Sequence, residues 1–272
     1  MPPAVIASDL DGTLLRSDGT LGGRTRRALA ACEASGALIV LCTARPVRWV
    51  RPLAHDLGGR PLAACGNGGV LWDLAADRLL GTVAMESAAT RAVVTALTDA
   101  LPGGTFAVER VDDFAHEPGY RPHWPVPEGT VVAEIDALVQ MPVVKLMFRH
   151  CGYTADQMLG PARTAVADLA EVTHSNSAGD LLEVSPPGVS KASALARLCA
   201  ARKIGPEAVI AFGDMPNDLA MLRWAGRAVA VAGAHPDVLA AVDEITAGND
   251  EEGVADVLER LWPRATRSGM LS

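Results

Sequence analysis

Short apolar runs alternate along this chain with longer stretches whose apolar positions recur at helical spacing, and glycine or acidic residues punctuate each change. The runs Ala4–Ala7, Ala37–Cys42 and Pro61–Cys65 predict buried strands, with a helix over Thr25–Ala34 closed by Gly36. The same rhythm returns late. A helix is predicted over Lys191–Ala201, a strand over Ala208–Phe212, a helix over Asp218–Trp224 and strands over Ala228–Ala232 and Glu244–Thr246. A last helix is predicted over Asp250–Leu261. Strands that are apolar throughout, spaced by helices, indicate a parallel sheet covered on both faces.

The middle of the chain breaks this rhythm. Helices are predicted over Ser87–Ala100 and Ala155–Ala167, with short strands near Phe106–Glu109 and Val143–Phe148. The Pro186-Pro187-Gly188 turn marks the return to the first pattern, and Pro118–Pro127 is expected as an internal loop. The expected architecture is α/β: a Rossmann-like parallel-sheet core over 1–82 and 187–272, with an α+β domain inserted over 83–186.

Composition narrows the classes. The chain of 272 residues is 49% hydrophobic and 21% charged, which is ordinary for a globular protein. Its 24 Lys+Arg against 32 Asp+Glu leave a net charge of −8, which argues against nucleic-acid and anionic-membrane partners. A local basic pocket or a divalent cation still admits a small anionic substrate. Five cysteines lie far apart without a CxxC pair, which fits a reducing cytoplasm. The N-terminus has no basic segment ahead of its apolar run, and no run approaches the ~18 residues a membrane span needs, so a cytoplasmic protein is expected.

Candidate chemistry collects at the predicted strand ends. Asp9 and Asp11 stand two apart after the first strand, where an extended chain would project both to one side. Two carboxylates ~4 Å apart would repel by about 4 kcal/mol at an effective dielectric of 20, so a cation or a retained proton is expected there. A metal-bound Asp can act as nucleophile and a protonated Asp as general acid. A surface turn also accounts for a lone Asp-x-Asp-Gly. Asp214 and Asp218 follow the Ala208–Phe212 run and are expected to face the same crevice, a hard-oxygen set that suits Mg²⁺. Thr43-Ala44-Arg45 follows another strand and offers a hydroxyl and N–H groups for phosphate oxygens. Lys191 opens a helix, where the helix dipole disfavours a cation unless an anion lies nearby. Neither GxGxxG nor a Walker A loop is present, which disfavours dinucleotide and P-loop chemistry.

In order, DLDGTL at Asp9, TAR at Thr43, NGG at Asn67, GVSKASAL around Lys191 and GDMPNDLAML at Asp214 resemble the haloacid dehalogenase superfamily. More narrowly, they resemble its Cof-type phosphatases with an inserted α/β cap. The resemblance implies a Mg²⁺-dependent hydrolase of small phosphate monoesters, such as sugar phosphates or phosphorylated cofactors. Asp9 would be the nucleophile that becomes an aspartyl phosphate, and Asp11 the acid/base. Thr43 and Lys191 would hold the transferring phosphoryl group, with Asn217 beside them. Asp9, the Asp11 backbone carbonyl and Asp214 would bind Mg²⁺, with Asp218 a direct ligand or a support. A phosphosugar mutase and a non-catalytic phospho-ligand sensor are the alternative readings. Ala44 stands where these phosphatases commonly have glycine, and Asn67 is expected to contact substrate, to support the site or to form a plain turn. The inserted domain is expected to exclude water and supply substrate contacts. Arg121 and Trp124, with Arg45, are the candidate substrate contacts, although a loop pinned by its own aromatic residues, or a subunit contact, is the competing expectation. The Lys145 ammonium is expected to emerge at one face of its strand, either into solvent or against substrate.

Overall fold

The computed structural model describes residues 2–263; residues 1 and 264–272, which the expected core segments include, lie outside the described residues. The chain forms two compact units. One comprises the residues up to Gly81 together with those from Lys191 onward, and the other is Thr82–Ser190.

The first unit is built on an eight-stranded sheet. Its strands are β1 (Val5–Ser8), β2 (Leu38–Cys42), β3 (Leu62–Cys65), β4 (Val70–Asp73), β5 (Arg78–Thr82), β12 (Val209–Gly213), β13 (Arg227–Val231) and β14 (Glu244–Thr246). The order is β14-β13-β12-β1-β2-β3-β4-β5. Every pairing from β14 across to β3 is parallel, and β4 turns back antiparallel on β3. Strands β1, β3 and β12 are buried at every position, as runs covered on both faces must be. The chain steps outward from β1 to β3 on one side and returns as β12 on the other. The strand order therefore reverses at β1, and in such sheets the crevice at the carboxyl ends of the reversing strands receives ligands.

Flanking helices bury one stripe each. Helix Gly23–Ala34 buries Thr25, Ala28, Leu29 and Cys32, a helical i, i+3, i+4, i+7 set. Helix Lys191–Ala200 buries Ala194, Leu195, Leu198 and Cys199, and Lys191 occupies the same stripe one turn earlier. The helix expected from Asp250 begins at Gly253, because Glu252 adopts a left-handed conformation (φ 57°) that ends the preceding loop. No helix among the described residues is long and apolar enough to cross a membrane.

The second unit has a six-stranded sheet of order β10-β11-β9-β6-β7-β8. These are β6 (Thr105–Glu109), β7 (Phe114–His116), β8 (Val131–Val132), β9 (Lys145–Arg149), β10 (Glu171–Thr173) and β11 (Leu181–Ser185). Sequence reasoning found only β6 and β9. The others are two to five residues long and lack a clear apolar alternation. Helices Ser87–Ala100 and Ala155–Val166 contribute Val93, Leu97, Met158 and Ala162 to a core that also holds Phe106, Leu146 and Phe148. Thr154 and Gln157 cap the second helix reciprocally. The expectation for Lys145 is corrected: it is 4% exposed, and its ammonium lies 2.6 Å from Glu183 Oε1 on the neighbouring strand. A cross-strand carboxylate, rather than solvent, takes the charge.

Candidate active site

Asp9 follows directly on β1. Its N–H donates to the Phe212 carbonyl at 3.0 Å, which extends the β1–β12 ladder by one residue and fixes the carboxylate at the reversal point. The residue is 6% exposed. Asp214 and Asp218 follow β12, and Asp9, Asp214 and Asp218 each offer a carboxylate oxygen within 4.8 Å of the others. Lys191 reaches this group from its helix stripe. Fully buried, its ammonium donates to Asp9 Oδ1 at 2.5 Å and to Asp218 Oδ1 at 2.7 Å.

One cation thus faces three carboxylates in a buried setting. Burial holds the Asp9 carboxyl well above the usual carboxylate range; Lys191 opposes the rise, while Asp218 and Asp214 add to it. Burial and then Asp218 push Asp214 up to about 6, against a hydrogen bond from Thr13. Burial works against the charge on Lys191, but Asp218 and Asp9 outweigh it and raise its pKa.

The loops are shaped for this approach. Thr13 Oγ1 donates to Asp214 Oδ1 at 2.7 Å. Gly12 has φ +79°, and a Cβ there would lie 2.5 Å from Asp214 Oδ2, so only glycine fits between the two loops. Asp218 Oδ2 accepts the N–H groups of Asp214 and Met215 at 3.1 Å each, which pins the turn after β12. Both Asp218 oxygens are therefore engaged by protein donors.

Thr43 is buried at the end of β2, and its Oγ1 accepts the Arg45 N–H at 3.0 Å. Its carbonyl accepts the Asn67 N–H at 2.9 Å, and the Arg45 carbonyl accepts from Gly66 at 3.0 Å. The residues after β3 thereby brace the loop after β2, including Ala44 between Thr43 and Arg45. Asn67 takes a left-handed conformation (φ 56°), and its side-chain oxygen accepts from Asn217 Nδ2 at 3.2 Å. These bonds tie Asn67 to the loop after β2 and to Asn217. Asn217 Oδ1 is buried and has no hydrogen-bond partner among the described residues.

Asp11 lies beside the three-carboxylate group rather than in it. Strand β1 ends at Ser8 and the chain turns at Leu10, so the two-residue alternation no longer applies beyond the strand. The Asp11 carboxylate is largely exposed and held by the Arg45 fork, with Nε donating to Oδ2 at 2.8 Å and Nη2 to Oδ1 at 2.5 Å. It is not a member of the three-carboxylate group, and the carboxylates that act on Asp9 are Asp218 and Asp214. Hydrogen bonding to Asp11 raises the Arg45 pKa in turn. Thr13 is a contact at this centre that the sequence pattern did not single out; its place two residues after Asp11 was the available signal.

Arg121 and Trp124 lie in the second unit. Arg121 is exposed, while Trp124 packs partly buried on a small cluster of Phe114, Tyr120 and Met147, its ring 6.4 Å from that of Phe114. Aromatic residues of this loop thus pack on one another and on the sheet.

The fold and these loops define a class: a doubly wound α/β protein with an acidic, lysine-countered centre where the strand order reverses. The family model of haloacid dehalogenase-like hydrolases matches residues 6–258, and the chain belongs to that family. Among its relatives, the 5-amino-6-(5-phospho-D-ribitylamino)uracil phosphatase YwtE of Bacillus subtilis is 26% identical, over 94% of this chain and 97% of that protein. A phosphoglycolate phosphatase of Halorubrum lacusprofundi is 29% identical, over 97% and 99%. The crystal structure of SMU.1108c from Streptococcus mutans shares the fold with a TM-score of 0.81 at 22% identity, covering 95% of this chain and 98% of that one.

Proposed function

We propose that this hydrolase is a Mg²⁺-dependent phosphatase of small phosphate monoesters, such as sugar phosphates or phosphorylated cofactors, working in the cytoplasm through an aspartyl-phosphate intermediate. The observation that carries the reading is the convergence of Asp9, Asp214, Asp218 and Lys191 at the strand-order reversal. The named relatives act on phosphate monoesters, and the free, mostly buried cysteines suit a reducing compartment.

The donor set fits the metal. Mg²⁺ prefers a few carboxylate oxygens plus waters and substrate phosphate, and here three carboxylates confront a single ammonium, leaving an excess of negative charge. Asp9 and Asp214 would hold the ion with the Asp11 carbonyl; Asp218, both of whose oxygens are occupied, would support it by fixing Lys191 and the turn after β12. Bound there, the ion supplies neutralisation of the phosphate charge that otherwise repels Asp9.

The chain's own groups then divide the work. An Asp9 carboxylate oxygen attacks phosphorus as the bond to the ester oxygen breaks, and Asp11 gives that oxygen a proton. In the second step Asp11 takes a proton from water, whose oxygen attacks the phosphoryl group and releases Asp9 and phosphate. Lys191, the Thr43 hydroxyl, Asn217 and the Ala44–Arg45 N–H groups hold the phosphoryl oxygens, since this chemistry is mainly positioning and charge neutralisation. Before turnover Arg45 must yield Asp11, or move with it. Arg121 and Trp124 contribute to substrate choice.

The test is phosphate release from a panel of sugar phosphates, nucleotides and phosphorylated cofactors, with Mg²⁺ or with chelator, in the wild type and D9N. The expected result is Mg²⁺-dependent release that D9N lowers at least ~10³-fold, on the scale of losing a covalent nucleophile. Silence across the panel, or turnover surviving D9N, overturns the reading.

A further inference from the structure

Within the second unit a cleft of about 440 Å³ opens at one end of the sheet, bounded by Thr105, Arg121, His123, Arg149, Cys151 and Asp180. That volume lies in the range of small-molecule sites. We propose that this cleft is an anion site, taking the carboxylate or phosphate group of a small organic anion. The inference concerns this unit alone and does not depend on the phosphatase reading.

Arg149 carries the argument. It is 5% exposed, and burying a guanidinium is costly unless its donors are used. Its Nη1 is bound to the Asp180 carboxylate and lies 2.8 Å from the His123 ring. Its Nε is buried with no hydrogen-bond partner among the described residues. One carboxylate therefore leaves a five-donor fork incompletely satisfied. The rings of Tyr120 and Trp124 flank the guanidinium at 5.3 and 5.6 Å and hold it in place before any ligand arrives.

The charge balance points the same way. Arg121 adds a second, exposed cation to the lining, and Asp180 is the single acid there. The chain as a whole carries a net charge of −8, so a cleft with two arginines against one carboxylate stands out from its own protein. Planar arginine forks match carboxylate and phosphate oxygens, whereas a neutral or cationic ligand would add no counter-charge for the second arginine.

The test uses the full chain and two probes, succinate and inorganic phosphate, with the His123 ring proton followed by NMR and assigned with H123Q. The expected result is a saturable shift with a midpoint in the low-millimolar range or tighter. R121A should weaken it about 5- to 10-fold, and R149K, which keeps charge but loses the fork, should weaken it more. Response to succinate alone names a carboxylate ligand, and response to phosphate alone names a phosphate. D9N should leave the midpoint unchanged, which separates this site from the phosphoryl centre. No saturable shift with either probe, a midpoint indifferent to R121A, or one that moves in D9N overturns the proposal. Should R149K fail to fold, R121A decides.

Discussion

The hydroxyl of Thr13 donates to Asp214 Oδ1 at 2.7 Å, tying the loop after β1 to the loop after β12 across 201 residues of sequence. The bond orients one of the three clustered carboxylates and opposes the rise in its pKa that burial causes. Residues that orient a metal ligand through a hydrogen bond typically matter 10- to 100-fold in affinity. T13V should therefore raise the Mg²⁺ concentration for half-maximal activity by ~10-fold or more. The check is a Mg²⁺ titration of turnover, and an unchanged midpoint would separate Thr13 from the metal.

Among the described residues Lys191 is the only ammonium bonded to the acidic centre, and it is fully buried. Removing one member of a buried charge cluster typically costs ~3–5 kcal/mol, because the remaining charges have no compensation. K191M should lose stability on that scale in thermal or urea unfolding, as well as activity. A variant as stable as wild type would mean that this centre does not need the lysine as a counter-charge.

Glu252 clasps the start of the chain to its end. Its Oε2 accepts the Thr25 N–H at 2.7 Å and the Thr25 hydroxyl at 3.0 Å, and its Oε1 pairs with Arg16 at 2.6 Å. Burial works against the charge, but the bonds from Thr25 and Arg16 prevail and lower its pKa from 4.5. For a carboxyl depressed in the folded state, the stabilisation is complete above the unfolded value and lost as pH falls through the folded one. Urea midpoints of the wild type should accordingly drop below about pH 4.5. E252Q should be less stable at neutral pH and should fall less steeply with acid. Parallel pH curves for the two proteins would contradict the clasp.

Arg121 and Trp124 separate on structural grounds. Arg121 is exposed, whereas Trp124 packs against Phe114 and stacks with Arg149. R121A should change the ratio of kcat/KM between substrates with and without a second anionic group by ~10-fold, equivalent to about 1.4 kcal/mol. W124A should add a loss of stability, because it uncovers part of the buried Phe114, Tyr120 and Met147 cluster. Uniform kinetics across substrates in R121A would reduce this loop to structure.

Local sequence determined the parallel-sheet frame. Runs such as Val5–Ser8 and Val209–Gly213 are apolar because both faces are covered, and a run of that kind has few other uses. The helix phase of Lys191 was equally legible, since Ala194, Leu195 and Leu198 point it at the core. Three features needed the tertiary structure. The short strands β7, β8 and β10 exist through pairing with neighbours rather than through their own pattern. Lys145 finds Glu183 on a strand 38 residues away, and no local rule carries that distance. Asp11 turns to Arg45 instead of joining Asp9, because the strand stops one residue before Asp9 and periodicity says nothing about a loop. The residue types and their order along the chain were set by sequence; which carboxylate meets which cation was set by the long-range packing of loops that carry no periodic signal.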